Sequence, residues 1–335
     1  MVFKSWPKVQ IQTPDGLVKG IAPYIISASR ATDIPAFHAE GFIKNLEIGY
    51  TKWVNPFNQV PQYVSFENAR VIVFWTKNPE PLIPLLKDVE KRSINYYFTY
   101  TLNDYEEEGL EPNLPPLENR IETFKKLSEM IGKERVIWRF DPLLLSDTLT
   151  VDKLLNKIKS VGEKIHNHTE KLVFSFVDIS EYTAVQRNLV SKGLGKFREF
   201  TLEEKIQIAK GIQTLNKDWK LQLASCCEDV DLTPYGMEHN RCIDDELMIR
   251  IFKKDKILMD FLGVDVNIRQ TSLFEVPNQP KENILKDKGQ RKTCGCVVSK
   301  DIGQYNTCLH LCTYCYANHS EGRVKSNMKS LSDQT

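Results

Sequence analysis

Short, nearly continuous apolar runs alternate along the chain with longer segments whose apolar residues recur every three or four positions. The runs at 24–29, 71–75, 96–101, 136–140, 172–177 and 221–225 predict strands covered on both faces, the habit of parallel sheets. Between them, Leu117–Ile131 puts Leu117, Ile121, Phe124, Leu127 and Ile131 on one helical face, with Gly132 as a stop. Val151–Ile165 and 202–215 carry similar stripes, and Thr201 with Glu204 reads as a capping box. This alternation predicts an α/β fold built on a (β/α) TIM-like parallel barrel, closed or partial.

Polar residues and turn-formers follow the strands in succession: Ser29 to Asp33, Thr76 to Pro79, Asn103-Asp104 and Asp141-Pro142. Each alone reads as a capped turn, with Asp33 and Asp141 as the caps. Together they predict a shared polar rim at the C-terminal strand ends, where αβ barrels place their active sites. The expected organisation is a main barrel part over 1–225, a less regular cysteine-containing subregion over 226–293, a closing segment over 294–319, and a flexible tail over 320–335.

Hydrophobic residues make up 41% and aromatics 10% of the 335 residues, enough for one large core. Lys+Arg at 45 against Asp+Glu at 44 gives a net charge of +1. That excludes a bulk electrostatic attraction to nucleic acid or membrane surfaces. No apolar run reaches the ~18 residues of a membrane span, and the N-terminus lacks the apolar stretch of a secretory signal. A cytoplasmic chain with no membrane partner is expected.

All eight cysteines lie at or beyond position 226: 226, 227, 242, 294, 296, 308, 312 and 315. In a reducing compartment such clustering points to metal ligation or redox chemistry rather than disulfides. Cys308, Cys312 and Cys315 have the spacing C-x3-C-x2-C. Three thiolates on one compact loop suit a [4Fe-4S] cluster and leave its fourth iron open to substrate or cofactor. Structural zinc loops present C-x2-C pairs closed to four ligands, which fits less well.

This motif, with aromatic Tyr314 before its last cysteine, resembles the signature of the radical S-adenosylmethionine (radical SAM) superfamily. The resemblance implies that the open iron chelates S-adenosylmethionine, that reductive cleavage yields a 5′-deoxyadenosyl radical, and that the radical takes hydrogen from a substrate. It also implies a reductant partner such as flavodoxin or ferredoxin. In that superfamily the motif follows the first barrel strand, whereas here it lies near the other end of the chain. Residues 296–299 are read as that first strand.

Onward from the N-terminus come Thr32-Asp33-Ile-Pro35, Thr76-Lys77, Thr99-Tyr-Thr101, Glu111-Pro112, Glu118-Asn-Arg120 and Arg139-Phe-Asp141-Pro142. This order is similar to the barrel of spore photoproduct lyase-like proteins, without a counterpart of that lyase's additional hydrogen-donor cysteine. The whole chain resembles the bacterial family DUF1848. The implied fold is a radical SAM barrel circularly permuted relative to the usual order. The implied roles are Cys308, Cys312 and Cys315 as cluster ligands, Lys77 and Arg139 as catalytic candidates, and Thr99, Thr101 and Tyr314 against the cofactor. Structural ion pairs are the competing reading for Lys77 and Arg139. The lyase-like resemblance points to a nucleic acid lesion as substrate.

Of the remaining cysteines, Cys294, Cys296, Cys242 and one of Cys226 or Cys227 could hold a second iron-sulfur cluster or zinc; the alternative is buried thiols acting as small hydrophobes. Adjacent residues in a strand face opposite ways, so only one of the vicinal pair, Cys227 in the candidate set, is expected to ligate. Glu228 reads as a solvated turn carboxylate, and His310 as a surface residue or one standing behind the ligands. A different class of function is a non-catalytic, zinc- or iron-sulfur-braced binding protein. Its nucleic acid contacts would fall on the short basic patch at 286–292.

Overall fold

The computed structural model describes residues 3–191, 196–264 and 285–332. Strands β1 (Lys8–Thr13) and β2 (Gly16–Ile21) form an antiparallel ribbon, followed by β3 (Ile25–Ala28), α1 (Ile34–Phe37) and α2 (Ala39–Ile48). Next come β4 (Tyr50–Val54) and β5 (Pro61–Ser65), which join the ribbon in a four-stranded sheet of order β1-β2-β5-β4. The core then alternates: β6 (Val71–Thr76), α3 (Leu86–Glu90), β7 (Asn95–Thr101), α4 (Leu117–Ile131), β8 (Val136–Leu143) and α5 (Val151–Ile165). It continues with β9 (Lys171–Phe176), α6 (Thr183–Ser191), α7 (Leu202–Trp219) and β10 (Gln222–Ser225). The final elements are β11 (Met237–His239), α8 (Asp245–Ile251), α9 (Lys256–Phe261), β12 (Lys300–Asp301) and α10 (Glu321–Ser332).

The large sheet has eight strands in the order β11-β10-β9-β8-β7-β6-β3-β12, and every adjacent pair is parallel. Its strands alternate strictly between two cores. Ile72 and Phe74, Tyr96 and Phe98, and Trp138 and Phe140 face the larger one, with Phe42, Ile121, Phe124 and Ile158 from the helices. Each such side chain, fully buried, stabilises the fold by roughly 1.5–3 kcal/mol. Val71, Val73, Tyr97, Ile137, Val173 and Ala224 face the other way, onto Leu247, Met248, Leu258 and Met259 of α8 and α9.

That second layer explains a departure from the expected architecture. A closed barrel's lumen holds only side chains. Here whole helices and the cysteine segments occupy that face, and β11 and β12 are the two edges of an open sheet. A closed TIM-like barrel does not form. The segment after residue 225 supplies a sheet strand and the second core; its residues 265–284 lie outside the described residues.

Two further differences concern the end of the chain. The strand ahead of the cysteine loop is β12, not 296–299, where only Val297 makes an isolated bridge to Lys286. Residues 321–332 form α10 rather than a flexible tail: Val324 is fully buried and Asn327 Nδ2 donates to Asn306 O at 3.2 Å.

Candidate functional site

The loop carrying Cys308, Cys312 and Cys315 leaves β12 and lies over the C-terminal ends of β3, β6 and β7. It is tied down along its length. Trp53 Nε1 donates to Gly303 O at 3.0 Å, His38 Nε2 stands 3.2 Å from Thr307 O, and Asn113 Nδ2 donates to Leu309 O at 2.7 Å. Thr313 N donates to Leu110 O at 2.9 Å, and Tyr316 Oη to Arg30 O at 3.0 Å. His310 is 2% exposed, so it is no surface residue; it packs on Phe37, and its Nε2 lies 2.9 Å from Asp33 Oδ2. Asp33 does more than cap a turn. Its Oδ1 accepts from Ala36 N at the start of α1, and its Oδ2 also accepts from Lys77 N at 2.7 Å. Leu311 takes a left-handed φ of 53°, which turns the chain between the fastenings at His310 and Thr313.

Cys308 feels the charge of Cys315, and Cys312 feels the charges of both. Burial pushes the Cys308 thiol up to about 12 and raises Cys312 and Cys315 as well. Opposing that, backbone N–H groups of His310 and Asp33 point at Cys308, those of Ala317 and Asn318 point at Cys315, and the Lys77 charge acts on Cys312. Such donors favour thiolate, the form that binds metal.

Behind the loop lies a buried polar knot. Glu111 Oε1 accepts from Lys77 Nζ at 2.7 Å, from Asn103 Nδ2 at 3.1 Å and from Tyr314 Oη. Lys77 Nζ also donates to Tyr314 Oη at 2.8 Å, and Arg120 Nη1 approaches Glu111 Oε2 at 3.7 Å. Burial alone would raise the Glu111 carboxyl, but Lys77 and Arg120 outweigh it and hold it below its ordinary range. Burial likewise opposes the Lys77 charge, and Glu111 reverses that and raises it. Lys77 and Tyr314 thus fasten the loop to the strand ends. Both Glu111 and Asn103 stand in the sequence patterns, but neither receives an individual role from them; an acidic residue in the Leu- and Pro-rich 110–117 stretch is the signal available for Glu111.

Thr99, Thr101 and Arg139 share the face of the sheet that looks toward α8. Thr99 is buried, its Oγ1 donating to Phe74 O at 3.3 Å, and Thr101 lies in register beside Arg139. The cavity bordered by Thr99, Arg139 and Cys242 measures about 10 Å³, room for about one water. Arg139 is buried and donates through Nη2 to Asp141 Oδ2 at 2.7 Å and through Nη1 to Cys242 Sγ at 2.9 Å. Both Lys77 and Arg139 therefore sit in ion pairs. A larger open groove of about 570 Å³, bordered by Thr150, Leu155, Arg198 and Glu204, opens on the helix-covered side and holds no cysteine.

The other five cysteines meet on this inner face. Cys226 Sγ lies 3.6 Å from Cys242 Sγ and 4.0 Å from Cys227 Sγ. Cys227 and Cys294, Cys294 and Cys296, and Cys296 and Cys242 also influence one another's ionisation. The vicinal pair does not face opposite ways: β10 ends at Ser225, and Cys227 adopts φ 59°, which breaks the strand alternation and brings both sulfurs to one side. Hydrogen bonds from Cys226 and Cys296 hold the Cys242 thiol well below its ordinary range, helped by Arg139. Glu228 is not solvated; it is 5% exposed, accepts from Phe176 N at 2.9 Å and pairs with Lys205 at 3.1 Å. Among the described residues, no three His, Cys, Asp or Glu side chains already surround a single point that would hold a metal ion.

A family described as "Domain of unknown function (DUF1848)" matches residues 25–317. The chain belongs to this family. The match runs from β3 through the last cysteine of the loop, so the family covers the large sheet and both cysteine groups. No curated protein matches the chain. Among solved structures, one similar chain is a protein from Bacteroides thetaiotaomicron VPI-5482 assigned as an alpha-L-fucosidase, at 10% identity and a TM-score of 0.23. The similarity covers 59% of this DUF1848 chain and 75% of that one. No helix among the described residues is long and apolar enough to cross a membrane.

Proposed function

We propose that this DUF1848 protein is a radical SAM enzyme whose cluster is held by Cys308, Cys312 and Cys315. One observation carries the reading: three thiols on one loop, met by backbone N–H donors and pinned over the C-terminal ends of parallel strands. The thiols of a [4Fe-4S] cube each take a different iron, so they need not converge on one point as ligands of a single ion do. When bound, the cluster supplies the electron that cleaves S-adenosylmethionine to methionine and a hydrogen-abstracting 5′-deoxyadenosyl radical.

The chain's own residues orient the loop and exclude water from it. Tyr314, Lys77, Glu111 and Asn103 lock its back, while Asp33 and His310 lock its middle. We further read the open sheet as a partial barrel in permuted order, since β12 is followed in space by β3, β6, β7, β8, β9, β10 and β11. A reductant of the flavodoxin or ferredoxin class is the implied partner, and the lyase-like resemblance directs the substrate search first to modified nucleic acid bases.

Anaerobic reconstitution with iron and sulfide, followed by S-adenosylmethionine and a reductant, tests this. A brown protein that releases 5′-deoxyadenosine is expected, and Cys308→Ala, Cys312→Ala and Cys315→Ala each abolish the release. A folded wild type that yields neither cluster nor 5′-deoxyadenosine overturns the reading.

A further inference from the structure

The five cysteines on the inner face carry an inference that stands apart from the radical reading. They arrive from three places in the chain: Cys226 and Cys227 just past β10, Cys242 after β11, and Cys294 and Cys296 ahead of β12. We propose that this cluster is a second metal site, in which Cys227, Cys242, Cys294 and Cys296 bind one thiophilic divalent cation, zinc by its preference for four thiolates.

The tight packing of the sulfurs favours one ion over a cube. Four sulfurs about 2.3 Å from one ion form a tetrahedron with edges of about 3.8 Å. The two measured separations, 3.6 Å to Cys242 and 4.0 Å to Cys227, both start from Cys226, and they show the thiols of this pocket packed at that spacing. Thiolates on different irons of a cube stand further apart.

The surroundings set the charge. Cys242 Sγ accepts from Arg139 Nη1 at 2.9 Å and from Asn240 Nδ2 at 3.0 Å. Cys296 Sγ accepts from the backbone N of Cys242 at 3.2 Å and of Ile243 at 3.4 Å. The Arg30 guanidinium lies over Trp75 within electrostatic range of Cys296 and Cys242, and its Nη2 is buried with no hydrogen-bond partner. Thiols acting as small hydrophobes would not gather two guanidinium groups and several N–H donors. Thiolates do, and several thiolates packed together need a multivalent cation between them.

Cys242, Cys294 and Cys296 are each 5% exposed or less, so such an ion is shielded from solvent. At present Cys226 Sγ stands in contact with both Cys242 Sγ and Cys227 Sγ. Binding releases to solvent whatever protons the four thiols still hold and turns the four sulfurs inward about χ1. The resulting tetrathiolate carries two net negative charges, set against Arg30 and Arg139. Cys226 remains a thiol between Cys242 and Cys227. The ion braces a segment whose helices α8 and α9 are short and whose packing depends on the second core.

The full chain, expressed with zinc and purified without reconstitution, is measured by metal analysis and by X-ray absorption at the zinc edge. One zinc per chain in an all-sulfur shell is expected. Zinc persists in the Cys308→Ala/Cys312→Ala/Cys315→Ala triple variant and in Cys226→Ser, and it is lost from Cys242→Ser/Cys296→Ser. Should that last variant not fold, the wild-type absorption spectrum still decides. A folded wild type without zinc overturns the proposal. So does a Cys226–Cys242 disulfide, or iron with acid-labile sulfide that survives in the triple variant. Loss of iron and of 5′-deoxyadenosine in the triple variant, with zinc retained, separates this site from the cluster loop.

Discussion

His310, in the middle of the cysteine loop, directs Nε2 at Oδ2 of Asp33 from 2.9 Å, across 277 positions of sequence. The same carboxylate caps α1 and receives the backbone N–H of Lys77. One side chain thus fixes the loop, a helix start and the end of β6 relative to each other.

Asp33→Asn puts an amide donor where two donors already point. It destabilises the fold by roughly 1–3 kcal/mol, the cost of leaving buried polar groups unmatched. Urea unfolding measures the loss, and iron retained after reconstitution falls with it. Unchanged stability and iron content would show that the loop is held elsewhere.

Glu111→Gln leaves Lys77 and Arg120 buried without their counter-charge, a loss of roughly 3–5 kcal/mol. The pH dependence is equally specific. The Glu111 carboxyl is held below its ordinary value, so its contribution is present above about pH 4.3 and lost as pH falls through the lower folded value. The Lys77 amine is raised, so its contribution is full below about pH 10.4 and lost as pH climbs through the higher folded value. Unfolding free energies across pH reveal both limbs in the wild type, and the acid limb shrinks in Glu111→Gln.

Gly303 is where the chain turns out of β12 toward the loop. A Cβ there would collide with Ser29 Oγ and Cβ and press on Thr32 Cγ2 at 3.1 Å. Gly303→Ala therefore costs roughly 1–3 kcal/mol by overpacking and lifts the loop from β3. Thermal unfolding reports the first effect and weaker iron retention the second.

Lys300 offers a test of the β12 environment. Burial pulls its amine down to about 8 against the opposing charge of Asp301, and Nζ lies 3.2 Å from the Trp53 ring centre. The folded state prefers the neutral amine, so stability rises between about pH 8 and about pH 10.4. Lys300→Met removes that rise. Amine-selective labelling near pH 8, read by mass spectrometry, should favour Lys300 over the fully solvated lysines.

Much of the fold was legible because burial on both faces leaves unbroken apolar runs. All six runs are strands of the large sheet, and α4 and α5 match their stripes residue for residue. The Thr201–Glu204 capping box is present. The β1–β2 ribbon was not legible, since Lys8–Thr13 is half exposed and mixes Lys and Gln with its apolar residues. Nor was β12, too short to make a pattern. At the site, polar rim segments predicted a shared edge, but their partners lie hundreds of positions away, as His310 lies from Asp33. The vicinal cysteines misled because the strand rule ends where the strand does, at Ser225.

The pairing of β12 with β3 has a consequence for synthesis. Domains begin folding from the end made first. The stretch from β3 to β11 can assemble while the edge of β3 is still bare, an exposed template for wrong pairing. That edge is covered only when Lys300 and Asp301 emerge, with Asp301 Oδ2 accepting from Ser27 Oγ and Arg30 N at 2.8 Å each. The three-thiol loop follows at once. The three-thiol loop is thus delivered late, onto a sheet already standing.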